Sequence, residues 1–138
     1  MKSVTPENYK EDPLYRRVVN AVRHLQQTKA QVTPINVLQT LGSLSPDQLQ
    51  QWRQGYILFL EAVLQSNLSK TNRVLRLLAL HARDLELRPA SIRYVCLPPG
   101  RRRELRFTRS GTPAIERAYA TEYRSTAPPR PASVAGGA

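Results

Sequence analysis

The residues able to do covalent or acid–base chemistry in this chain are few. Among 138 residues there are two histidines, His24 and His81, and one cysteine, Cys96. Catalysis by a thiolate or an imidazole needs a second, oriented group within reach, and a zinc site needs ligands at short, regular spacing. No nucleophile motif, metal spacing or phosphate-binding glycine loop surrounds any of the three. The acids combine no better, since Asp84 and Glu86 stand two apart on a helical pattern and point in different directions. The sequence therefore predicts no enzyme, no cofactor and no metal, with His24 and His81 as boundary or structural residues beside apolar stripes.

Cationic side chains are abundant instead. Lysine and arginine number 21 against ten acids, for a net charge of +11. The placement is uneven: Pro13–Gln31 has four cations and no acid, while Ser91–Thr112 sets six arginines against Glu104 alone. By contrast the stretch from Val32 to Asn67 holds one arginine and two acids. Charge gathered on particular elements is the footprint expected of a polyanion partner. The densest group is Arg101-Arg102-Arg103, next to the turn sequence Pro98-Pro99-Gly100. Three consecutive arginines at a turn exceed what internal partners can satisfy in a small protein, so phosphate contact or minor-groove insertion is their expected use.

The elements that must position these residues read as mainly helical. Thr5-Pro6, Asp12-Pro13, Thr33-Pro34, Ser45-Pro46 and Thr112-Pro113 each put a capping side chain before a proline at the first helical position, and Gln48 completes a capping-box pattern with Ser45. Helices are expected at Pro13–Gln31, Pro34–Leu41, Pro46–Gln54, Tyr56–Gln65, Ser69–Leu87 and Pro113–Tyr123, giving five to six in all. Gly42 and Gly55 are expected as left-handed residues closing the second and third. The fourth is apolar nearly all round and so belongs at the centre, with Trp52 packed against it and Glu61 its one charge. In the fifth, Val74, Leu75, Leu78, Ala82 and Leu85 share one arc while Arg73, Arg76 and Arg83 share another. Beyond Pro89 the period changes to alternation, with Ile92, Tyr94 and Cys96 on one arm and Leu105 and Phe107 on the other, predicting a β-hairpin at about 92–108.

A helix with a polar and basic entry followed by a basic hairpin resembles the last helix and wing of a winged helix-turn-helix domain. The resemblance covers about Leu58 to Arg109, with Asn67 where such turns have glycine and Arg73 near a position usually apolar. It implies that Ser69, Lys70, Asn72, Arg73, Arg76 and Arg83 approach nucleic acid together with Arg101, Arg102 and Arg103. A second helix-turn-helix pattern, Pro34–Leu41 followed by Pro46–Gln54, offers Gln48, Gln50, Gln51, Arg53 and Gln54 as base-contacting residues.

The chain is thus expected to be one helical, winged-helix-like domain at 13–124, with a flexible lead-in at 1–12 and a disordered Pro/Ala/Gly tail at 125–138. Its expected role is a small DNA-binding regulator or accessory factor. RNA, the ribosome or an acidic protein are the alternative partners, and a homodimer is open. One cysteine, no secretory h-region and no long apolar run point to the cytoplasm and away from a membrane.

Overall fold

The computed structural model describes residues 4–65, 67–98 and 101–125. It is mainly helical, with α1 at Tyr15–Gln27, α2 at Pro34–Thr40, α3 at Pro46–Arg53, α4 at Leu68–Asp84 and α5 at Pro113–Tyr119, and strands β1 at Leu87–Ser91 and β2 at Thr121–Ser125. The caps read from sequence form at α2 and α3: the hydroxyl of Thr33 accepts from the Asn36 amide at 3.1 Å, and that of Ser45 from the Gln48 amide at 3.2 Å. Each satisfies one of the amides that a helix start leaves without an intrahelical partner. At their far ends Gly42 and Gly55 take φ +82 and +88. There the amides of Ser43 and Tyr56 reach back to the carbonyls of Leu38 and Gln51 at 2.9 Å each, which closes both helices as Schellman turns.

The core gathers on α1 and α4. Val18, Ala21, Val22 and Leu25 of α1, spaced three and four apart, are buried, and face a broad apolar surface of Val74, Leu75, Leu77, Leu78, Leu80 and Ala82 on α4. Leu77 and Leu80 widen that surface beyond the arc read from sequence, whereas Leu85 caps the helix and is exposed. Helix α4 begins where the Asn67 side chain accepts from the Lys70 amide at 2.7 Å. Asn67 stands where a helix-turn-helix turn has glycine, but at φ −70 it acts as a helix cap.

Three expected elements take other forms. The run Tyr56–Gln65 is no α-helix: after Gly55 it crosses the surface in bends, pairs Phe59 with Arg106 in a parallel bridge, and makes one 3-10 turn at Leu60–Val63. Its aromatic and branched residues suit an extended path, and the amides of Leu60 and Glu61 bond to the carbonyls of Arg106 and Phe107 at 3.3 and 3.0 Å.

The regular two-stranded sheet is not the hairpin at 92–108. Strand β1 pairs antiparallel with β2, from Leu87 opposite Ser125 to Ser91 opposite Thr121. The arms of the expected hairpin do lie together, but only through the bridge Val95–Glu104 and the bonds from Cys96 N to Arg103 O at 2.7 Å and from Leu105 N to Tyr94 O at 2.8 Å. The last helix stops at Tyr119, because Thr121 and Tyr123, both good strand residues, join β1 and the latter also bridges Val32. Similarly α4 ends at Asp84, where Glu86 at φ 60 turns the chain into β1.

At the start, residues 5–12 are bonded turns with a 3-10 turn at Tyr9–Glu11, and Tyr9 is 3% exposed in the core. Of the expected lead-in, 1–3 lie outside the described residues, as do 126–138 of the expected tail and Pro99 and Gly100 of the turn.

Candidate nucleic-acid interface

The nine residues expected to touch nucleic acid fall into three groups. On α4, Ser69, Asn72, Arg76 and Arg83 lie within about 60° of one another on the helix and are all exposed. This is an outward polar stripe with two cations. Arg76 Nε donates to the Val4 carbonyl at 3.4 Å, a long contact that leaves most of its guanidinium in solvent.

Arg73 belongs to a different environment. Its guanidinium donates to the Asp12 carboxylate, and the two side chains are only 16% and 5% exposed. Asp12 also accepts from the Leu14 amide at 2.9 Å, so this arginine pins the start of α1 to the first turns of α4. A cation neutralised in this way has little left for phosphate. Lys70 lies about 160° around the helix from Asn72. With Ser69, Arg73, Asn67 and Pro13 it lines a hollow of about 340 Å³ at the head of α4.

The third group is the arginine turn, which is carried by α3. Trp52 is fully buried and donates its indole N–H to the Arg106 carbonyl at 2.8 Å. Its ring lies 5.6 Å from Tyr94 and 5.2 Å from Phe107, and Phe107 in turn stacks on Tyr119 at 5.1 Å. Rings from α3, both arms and α5 thus form one cluster, with edge-on and offset contacts that favour such pairs.

The first arm is fastened further by the bond from Leu97 N to Arg53 O at 2.6 Å, by Gln54 Nε2 to Pro98 O at 3.5 Å, and by the Arg53 guanidinium 5.4 Å from the centre of the Tyr94 ring. A Cβ placed on Gly55 would come 3.3 Å from an Arg103 guanidinium nitrogen, so that cation lies across the end of α3. Arg101, Arg102 and Arg103 are exposed. Among the described residues no acid pairs with them, the neighbouring Glu104 being 3.5 Å from Arg93.

The return from the second arm is held by two carboxylates. Glu116 accepts from the Thr108 amide at 2.8 Å and its hydroxyl at 2.6 Å. Glu61 accepts from the Arg109 amide at 3.2 Å and the Tyr119 hydroxyl at 3.3 Å. Burial and these two acids push the Tyr119 hydroxyl well above the usual phenol range. Glu61 thus braces the loop by accepting from its backbone. The buried thiol of Cys96 sits under Gly55, where an added Cβ would meet its sulfur at 2.8 Å.

His24 is exposed, and His81 is buried edge-on to Tyr15 at 6.0 Å, its imidazole held below its ordinary pKa by burial, with Lys10 and Arg23 adding to the effect. Among the described residues no cluster of three or more His, Cys, Asp or Glu side chains is placed to hold a metal ion, and no helix is long and apolar enough to cross a membrane.

Sequence reasoning therefore missed two things. The arginine turn is fastened to the end of α3, a helix that the sequence offered as base-contacting in its own right and not as the support of that turn. Arg73 is a structural cation, and the signal for it was Asp12, an acid beside a helix start. Comparison with protein-family models, with curated proteins and with solved structures finds no match for this chain.

Proposed function

We propose that this chain is a nucleic-acid-binding protein that grips the phosphate backbone through Arg101, Arg102 and Arg103. One observation carries the reading. Three adjacent arginines stand exposed, with no acid paired to them among the described residues, at the end of two arms whose base packs on Trp52 through Tyr94 and Phe107 and which Cys96 N ties at Arg103 O. Flexible surface cations bind phosphate weakly because they must be ordered on contact, whereas a braced backbone lowers that cost.

In its finer form the reading is winged-helix-like DNA binding, with the outward stripe of α4 as the groove-facing element and the arginine turn as wing. Support comes from chain order, since α4 leads within two residues into β1 and then to the turn. A second form is favoured by the bonds from 97–98 to the end of α3: there α3 lies beside the turn and presents Gln50 and Gln51, both exposed. Glutamine can bond adenine's major-groove edge in two places.

Replacing Arg101, Arg102 and Arg103 together with alanine tests the proposal. Binding to DNA or RNA should weaken for every sequence, and the dependence of affinity on salt should fall by up to about three phosphate equivalents. Thermal stability should hardly change. Unchanged affinity with an intact fold would overturn the reading. Arg76 and Arg83 against Gln50 and Gln51, each pair changed to alanine, separates the two forms by which loss alters sequence preference.

A further inference from the structure

Tyr56 and Leu58 are the most exposed large apolar side chains among the described residues, each at 67%. They belong to the most apolar run of the sequence, and packing has left them out of the core. Both side chains stand in solvent, while Ile57 and Phe59 between and after them are half-buried.

Their surroundings are cationic. Arg103 lies against the preceding Gly55, and Arg106 places its guanidinium 5.0 Å from the centre of the Phe59 ring. Leu97, bonded through its amide to Arg53, is 36% exposed beside the same end of α3. The Tyr56 ring therefore follows directly on the glycine that the Arg103 guanidinium lies against, with Arg106 close by on the Phe59 ring.

We infer that Tyr56 is a stacking platform for an unpaired nucleobase, with Leu58 against its flank and the arginine turn on the adjoining phosphates. This rests on the proposed phosphate grip alone, and in place of the two duplex-reading forms it names single strands as the class of nucleic acid. A duplex shows a protein surface its phosphates and the edges of its bases, which leaves an exposed ring and a leucine uncovered. A single strand offers base faces and phosphates at successive positions, which is what a ring set among arginines matches. Recognition by stacking is tolerant of sequence, because every base has a π-face.

The test uses the full chain with labelled oligothymidylate and oligouridylate of about a dozen nucleotides, and with a DNA duplex of the same length. Single strands should bind more tightly than the duplex, and the tighter of the two oligomers identifies DNA or RNA as the source. Tyr56→Ala should lose about tenfold on single strands, and Tyr56→Phe should stay within about twofold because the ring is kept. Neither change removes a charge, so the salt slope should hold. Tyr56 is mostly in solvent, so both variants should unfold at the wild-type temperature.

If Tyr56→Ala binds single strands like wild type while the triple-arginine variant fails, stacking is wrong and the phosphate grip stands. A wild-type preference for duplex overturns stacking in the same way. Absence of binding to all three probes overturns both.

Discussion

Arg73 and Arg76 are three residues apart on α4, and their substitution should read out in opposite assays. Removing Arg73 strips the partner from an Asp12 carboxylate that is nearly enclosed, so Arg73→Ala should cost about 3 kcal/mol in urea unfolding. Its effect on nucleic-acid affinity, measured where the protein is still folded, should be small. Arg76→Ala should change stability by less than about 0.5 kcal/mol and show instead in the salt dependence of binding.

His81 supplies a pH prediction. Its folded pKa lies below the ordinary 6.5, so below that value the unfolded chain takes up a proton that the fold resists. Stability is therefore complete above about pH 6.5 and falls as pH drops through the window beneath it. His81→Gln should flatten that part of a stability-against-pH curve, and an unchanged slope would place its origin elsewhere.

Among the elements, the two glycine-closed helices give a matched comparison. Gly42 and Gly55 both have left-handed φ, but a Cβ on Gly42 would meet nothing within 4 Å, while one on Gly55 would run into Cys96 and Arg103. Gly42→Ala should cost about 1 kcal/mol for backbone conformation alone. Gly55→Ala should cost more and should also disturb binding, since it pushes on the arm that carries the arginine turn.

The same helices show what the sequence made legible. Proline preceded by Thr or Ser, and glycine at the end, are local signals, and α2 and α3 stand within one residue of where these put them. The run from Tyr56 was misjudged because its apolar content fits a helix and an extended path alike. The carbonyls of Arg106 and Phe107, some 46 residues further on, drew it into the latter. The arms beside the arginines were likewise visible as alternation, but β1 and β2 were not. Their pairing joins segments separated by an entire helix and loop, and nothing local in Leu87–Ser91 names Thr121–Ser125 as its partner.

For the molecule as a whole, β2 is the closing piece. It pairs with β1 along five residues and, through Tyr123 N to Val32 O at 2.8 Å, with the link between α1 and α2. A chain ended after Ala120 should lose at least about 2 kcal/mol, and the amides of β1 should lose their protection from hydrogen exchange. The exposed cations also lie on several elements: Arg16, Arg17 and Arg23 on α1, Arg76 and Arg83 on α4, and the three of the turn. Removing the turn alone should leave a weak, sequence-independent attraction that vanishes at high salt.

Trp52 is the one tryptophan of the chain, and it is wholly enclosed at the base of the two arms with its N–H on the Arg106 carbonyl. The protein thus carries its own fluorophore at the joint between the core and the proposed binding surface. Emission from an indole in such dry surroundings sits at short wavelength. It would move to longer wavelength if a ligand lifted the turn, and hold steady if the turn receives its ligand as a rigid shelf.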